Sequence, residues 1–150
     1  MPDKPKTSVL FLCTGNSCRS QMAEAWARRL KPGEIEPYSA GIISTRLDPL
    51  AVKVMAEAGV DISAQKSKTV DDLPNQDFDY VVTLCDHAHE TCPYFPAKTK
   101  IMHKGFDDPP MLARQAGNEE EALVIYRRVR DEIQAFVQTL PGSLGAGTAF

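Results

Sequence analysis

Short apolar runs alternate with amphipathic stretches along this chain, and the alternation sets out strands and helices in turn. Val9-Leu10-Phe11-Leu12 is a continuous apolar run ending at Cys13, so residues 7–13 read as a buried central strand. Over residues 19–31 the period becomes helical, with Met22, Ala23, Trp26, Ala27 and Leu30 on one stripe and Pro32-Gly33 as the stop. A second short strand is expected around Pro37-Tyr38-Ser39-Ala40-Gly41. Asp48-Pro49 is an N-cap and first-turn pair, followed by a helix with Leu50, Ala51, Val54, Met55 and Ala58 inward and Gly59 at its end. A short helix is expected near 70–73, a third strand over 79–84 running into Cys85, and a fourth over 98–102. Glu119 to Leu140 reads as a long helix that buries Ala122, Tyr126, Val129, Ile133, Phe136 and Leu140.

This order predicts an α/β domain with a four-stranded parallel sheet flanked by helices, a three-layer sandwich. Such sheets bind ligands beyond the carboxyl ends of their strands. Cys13 and Cys85 each end a predicted strand, which places both on the same edge.

Chemistry concentrates at the first of these ends. Between the strand and the first helix runs Cys13-Thr14-Gly15-Asn16-Ser17-Cys18-Arg19-Ser20. Gly15 and Asn16 allow a tight, partly left-handed turn. Successive N–H groups from Thr14 to Ser20 then face one concavity, and the helix start adds its positive end. Arg19 can grip two oxygens of a tetrahedral anion. The same field favours the Cys13 thiolate, and Ser20 can add a hydroxyl hydrogen bond to the sulfur. A thiolate at the floor of an oxyanion cradle suits nucleophilic attack on phosphate or a phosphate look-alike.

The 150 residues fit one domain spanning 1–150, with 1–6 and 141–150 expected to be flexible. Apolar content of 43% and charged content of 25% are those of a soluble globular protein. A net charge of -3 argues against general affinity for nucleic acid or anionic membrane, and no apolar run is long enough to span a bilayer. The N-terminal residues lack a hydrophobic signal region, so a cytoplasmic location is expected, where four cysteines stay reduced and serve chemistry rather than cross-linking.

A second cluster is Cys85-Asp86-His87-Ala88-His89-Glu90-Thr91-Cys92. One thiol at a strand end and another on a polar segment suit a disulfide relay: the first attacks a sulfur adduct at Cys13, the second carries the oxidation outward. Zinc bound by Cys85, His87, His89 and Cys92 is the competing reading, but the paired Cys-x2-Cys knuckles of structural zinc are missing. A third cluster, Gly105-Phe106-Asp107-Asp108-Pro109, offers a carboxyl that can protonate a leaving oxygen, although aspartates beside proline also serve as plain turn residues. Cys18 lies inside the loop, where it either packs or traps Cys13 as a disulfide. Arg127-Arg128-Val129-Arg130 reads as a solvated helix face.

Cys13 to Ser20 resembles the phosphate loop of low-molecular-weight protein tyrosine phosphatases. Together with Gln21-Met22-Ala23-Glu24, Thr83-Leu84-Cys85, Cys92-Pro93 and Gly105 to Pro109, residues 8–138 resemble the thioredoxin-coupled arsenate reductases of that fold. The phosphatases usually carry proline after the Arg-Ser pair, where this chain has Gln21, and aromatic residues after Asp-Pro, where it has Pro110-Met111. Most also lack a redox pair matching Cys85 and Cys92, so the resemblance favours the reductases, with a phosphatase-type phosphomonoesterase as the alternative.

The resemblance implies arsenate held by the amides of Thr14 to Ser20 and by Arg19, attack by Cys13, and protonation of the departing oxygen by Asp108. It implies a Cys13–Cys85 disulfide, then a Cys85–Cys92 disulfide reduced by thioredoxin, with no cofactor and a monomeric enzyme. Some relatives bind potassium at positions matching Asn16, Glu24, Ser39 and an acid. This chain has Lys68 in place of the acid, which disfavours the ion and puts an ammonium there instead. Lys104 stands before Gly105, where relatives often have tryptophan.

Overall fold

A computed structural model describes residues 5–74, 77–92, 95, 96 and 98–144. Among these residues ten elements follow in chain order: β1 (Thr7–Cys13), α1 (Arg19–Leu30), β2 (Ile35–Gly41), α2 (Pro49–Glu57), a 3-10 turn (Val70–Asp72), β3 (Tyr80–Thr83), α3 (Asp86–Glu90), β4 (Lys100–His103), α4 (Pro109–Ala113) and α5 (Glu119–Gln138). The strands form one parallel sheet in the order β2-β1-β3-β4. β1 has a partner on each side, and Val9 to Leu12 are wholly buried, as a run apolar on both faces requires. β2 lies at an edge, where Pro37 is tolerated because its missing N–H costs no ladder bond.

From β1 the chain steps one way to β2, then returns past β1 to β3. Right-handed crossovers therefore put the α1 connection and the β3–β4 connection on opposite faces. The reversal opens a crevice between the carboxyl ends of β1 and β3, where Cys13 and Cys85 stand.

Two short helices depart from the sequence expectation. Asp86–Glu90 is expected as polar loop and forms α3; Pro109–Ala113, over which the sequence predicts no element, forms α4, with prolines in its first turn, where an N–H is not needed. Ala58, expected inward, is exposed because α2 stops at Glu57 and the chain turns out through Gly59 at φ 84. Pro141 to Leu144, expected as the start of a flexible tail, form a turn after α5, and Leu144 is buried in the core. The last six residues lie outside the described ones.

Candidate active site

The crevice is built around the loop that follows β1. Asn16 takes the left-handed conformation at φ 50, which folds residues 14–18 back on themselves. Among the described residues, the backbone N–H groups of Thr14 to Arg19 make no hydrogen bond within the chain. They are left to face an anion together. The outer side of the loop is tied down by Thr45 and Ser67, whose hydroxyls donate to the Gly15 carbonyl at 3.0 and 2.8 Å. Neither residue was singled out from the sequence, because a hydroxyl distant in the chain gives no local signal.

A directional set of hydrogen bonds runs beneath the loop. The Lys68 N–H donates to Asn16 Oδ1 at 2.9 Å, which leaves Asn16 Nδ2 to donate to Ser20 Oγ at 2.7 Å. Ser20 Oγ lies 2.9 Å from Cys13 Sγ. With its oxygen already accepting from Asn16, the Ser20 proton is free to point at the sulfur, where it stabilises negative charge. Gln21 is wholly buried beside this set. Its Nε2 donates to the carbonyls of Asn16 and Lys66, both at 2.9 Å, and its Oε1 accepts from Gln65 at 2.6 Å. A proline at 21 could do none of this, so the departure from the phosphatase pattern has a structural role.

Arg19 is buried and lies against the loop that carries the acids. Its Nη1 donates to the Phe106 carbonyl at 3.1 Å, and its Nη2 is 3.7 Å from Asp108 Oδ1. Asp108 occupies the N-cap position of α4 but makes no capping bond, so its carboxyl stays directed at Arg19. Thr14, Arg19, Cys85, His87, Phe106 and Asp108 are among the residues lining a cavity of about 440 Å³. Cys13 is buried just below, next in sequence to Thr14. Asp107 also lines the rim of this cavity, but its carboxylate is taken by Arg128 at 3.0 Å.

All four cysteines are free thiols. Cys85 Sγ is 3.3 Å from the Thr14 hydroxyl and accepts from the Ala88 N–H at 3.4 Å, so the loop and α3 both hold it. Cys92 is not brought to this cluster. It is half-buried beyond the end of α3, and burial raises its thiol above the ordinary range. Pro93, part of the same motif, lies outside the described residues. Cys18 is buried in the loop; burial first, then the Asp48 carboxylate, push it well above the ordinary range and keep it a neutral thiol.

Lys68 Nζ donates to Ser39 Oγ at 3.2 Å and to the Lys66 carbonyl at 3.3 Å, and lies 3.7 Å from Glu24 Oε1. Ser39 also donates to Glu24. An ammonium therefore stands where a potassium ion would need Glu24 and Ser39, and these residues do not fit that ion. Among the described residues, no three His, Cys, Asp or Glu side chains are placed to hold a metal, so the zinc grouping of Cys85, His87, His89 and Cys92 is not assembled. The basic run on α5 lies at the surface, with Arg128 exposed as expected, but two of its arginines also tie α5 to α2: Arg127 grips Glu57 through two bonds of 2.9 Å, and Arg130 donates to the Val54 carbonyl at 2.9 Å. Their partners lie about seventy residues away, beyond the reach of a local pattern. No helix among the described residues is long and apolar enough to cross a membrane.

The sequence profile of the low molecular weight phosphotyrosine protein phosphatase family matches residues 8–147. An arsenate reductase of Halalkalibacterium halodurans is 49% identical over 134 residues, spanning 89% of this chain and 94% of the relative. One from Bacillus subtilis is 52% identical over 125 residues, spanning 83% and 88%. The solved structure of an arsenate reductase in its oxidized state superposes with a TM-score of 0.73 at 31% identity, covering 92% of this chain and 98% of that one.

Proposed function

Because the chain belongs to the low molecular weight phosphotyrosine protein phosphatase family, we propose that it turns that family's loop to the reduction of arsenate to arsenite by a three-thiol relay. The observation that carries this reading is the second thiol: Cys85 stands two residues past the end of β3, the strand beside β1, and touches Thr14, the residue next to Cys13. A phosphatase needs one thiol here; a two-electron reduction needs a second within reach. The related arsenate reductases match over most of both chains, which supports the same choice.

Arsenate is held by the free amides of the loop and by Arg19. The Cys13 thiolate attacks arsenic, and Asp108 gives a proton to the departing oxygen, which leaves as water. Asp108 suits this role better than Asp107, because it faces Arg19 while Asp107 is paired with Arg128. The Cys85 thiolate then attacks Cys13 Sγ. The sulfur–arsenic bond breaks, its electron pair stays on arsenic, As(V) becomes As(III), and arsenite leaves. The Cys13–Cys85 disulfide holds the oxidation. Cys92 attacks Cys85 Sγ, freeing the Cys13 thiolate and forming Cys85–Cys92.

A protein reductant cannot enter a small-anion cavity, so the oxidised pair has to be presented outside it. A thioredoxin-type dithiol, oxidised as Cys85–Cys92 is reduced, closes the cycle without a bound cofactor. A reducing cytoplasm, in which a monomer cycles with that partner, is the setting this chemistry fits.

The second reading is a phosphomonoesterase, favoured by Asp108 standing free of capping beside Arg19, an arrangement that serves any oxyanion leaving group. Cys85→Ser divides the two. Hydrolysis of an aryl phosphate should survive the substitution and arsenate reduction should vanish. Arsenate reduction that persists in Cys85→Ser would sink the relay.

A further inference from the structure

Behind Cys85 lies a polar cluster that the chemistry above leaves unused. Thr83, wholly buried, is the last residue of β3, and His103 is the last residue of β4. His103 Nδ1 is 2.8 Å from the Thr83 hydroxyl, and His103 Nε2 is 3.2 Å from Asp86 Oδ1 at the start of α3. The His103 ring also stacks on His89 of α3, with centroids 4.5 Å apart and planes 34° apart. His89 Nδ1 in turn lies 3.4 Å from the same Thr83 hydroxyl. The Asp86 carboxylate only accepts, so His103 Nε2 carries the proton that faces it, and in the neutral ring Nδ1 accepts from Thr83. One imidazole thus joins β3 and β4 to both the first turn and the far side of α3.

We infer that His103 is a positioning residue for the relay: it keeps α3 folded, with Cys85 held at its head and Cys92 held away. The inference rests on the relay proposed above. α3 has five residues, too few to persist on local bonds, and Ala88 is its one buried side chain. Its persistence therefore depends on what it packs against, and His103 supplies two of those contacts. Only while α3 is folded does the Ala88 N–H reach Cys85 Sγ. In the same state the helix from Asp86 to Glu90 takes up about 6 Å at helical rise, and Cys85 and Cys92 stand beyond its opposite ends, farther apart than that. A disulfide needs Cα atoms within about 7 Å. The second exchange, in which Cys92 bonds to Cys85 Sγ and Cys13 leaves as thiolate, therefore waits for α3 to unwind. His103 favours the first exchange and restrains the second.

Two substitutions test this in the full-length reduced chain. His103→Ala removes the whole joint. Asp86→Ala removes one arm at an exposed position that the core does not depend on. Hydrogen exchange at the amides of residues 86–91 should quicken about three- to tenfold in His103→Ala, with a smaller change of the same sign in Asp86→Ala. Single turnover follows, with one equivalent of arsenate and no external reductant, acid quench, thiol alkylation and mass spectrometry. The Cys13–Cys85 species should form more slowly and pass to Cys85–Cys92 about three- to tenfold faster. General loss of structure would slow both steps. Unchanged amide protection in both variants overturns the inference, as does faster exchange without faster passage to Cys85–Cys92. If the unaltered chain forms no disulfide with arsenate, the relay reading fails, and amide exchange alone then decides whether His103 holds α3.

Discussion

Asn16 Nδ2 sits 2.7 Å from Ser20 Oγ, and this contact decides where the Ser20 proton goes. The orientation of the Asn16 amide is not free, since a backbone N–H, that of Lys68, claims Oδ1. Ser20 is thereby left as donor to the Cys13 sulfur 2.9 Å away. Ser20→Ala should lower turnover about ten- to a hundredfold, because a preorganised donor to a reacting charge is lost. It should also cost about 1–3 kcal/mol of stability, as Asn16 Nδ2 is left buried without an acceptor. Steady-state rates and a denaturation curve check the two parts separately.

The paired aspartates should separate cleanly. Asp108→Asn keeps the shape and removes the proton donor, so kcat should fall about a hundred- to ten-thousandfold with anion affinity kept. Asp107→Asn loosens an exposed pair with Arg128 at the cavity rim and leaves Asp108 opposite Arg19, so kcat should stay within about threefold. Equal losses in the two variants would contradict the assignment of the acid.

Gly41 ends β2 against the outer wall of the loop. A Cβ there would lie 2.4 Å from the Ile43 carbonyl oxygen and 2.8 Å from the Asn16 nitrogen, both backbone atoms that cannot swing aside. Gly41→Ala should therefore displace the cradle itself, lowering stability by about 3 kcal/mol or more and abolishing phosphate binding. Calorimetric titration with inorganic phosphate and a thermal melt measure both effects. A variant that binds phosphate normally would show that the loop tolerates the shift.

Much of this architecture was legible because its cause is local. The apolar run into Cys13 reads as a buried strand, and Cys13, Arg19 and Ser20 announce their chemistry by residue type. Gly59 after α2 marks a positive-φ stop, and the structure has one there. What stayed hidden is held by distant partners. α3 offers a single inward apolar position and exists because His103, thirteen residues beyond its end, packs on it. α4 begins with two prolines, which look like a turn until the helix behind them is seen. Gln21 was legible only as an absence of proline; its hydrogen-bond partners come from residues 16, 65 and 66. The arginines of α5 look solvated in sequence because Glu57 and Val54 are far away along the chain.

The pH dependence of the second exchange follows from Cys92. Burial raises its thiol above the ordinary value of 9.0. A raised thiol has less thiolate at any pH below it, so the attack on Cys85 should quicken about tenfold per pH unit and not level off before pH 9.0. Quenched single turnovers at several pH values read this directly. A rate that levels off near neutrality would mean that Cys92 is activated by a neighbour, or that the unwinding of α3 limits the step.

Reduction of an oxyanion by three thiols in sequence requires an electron donor outside the chain. Its most direct test is NADPH consumption by the reduced chain with thioredoxin and thioredoxin reductase, with and without arsenate. NADPH oxidation should depend on arsenate and should disappear in both Cys13→Ser and Cys85→Ser. No response to arsenate, alongside Cys13-dependent hydrolysis of an aryl phosphate, would contradict it and leave a phosphatase in which Cys85 and Cys92 take no part in turnover.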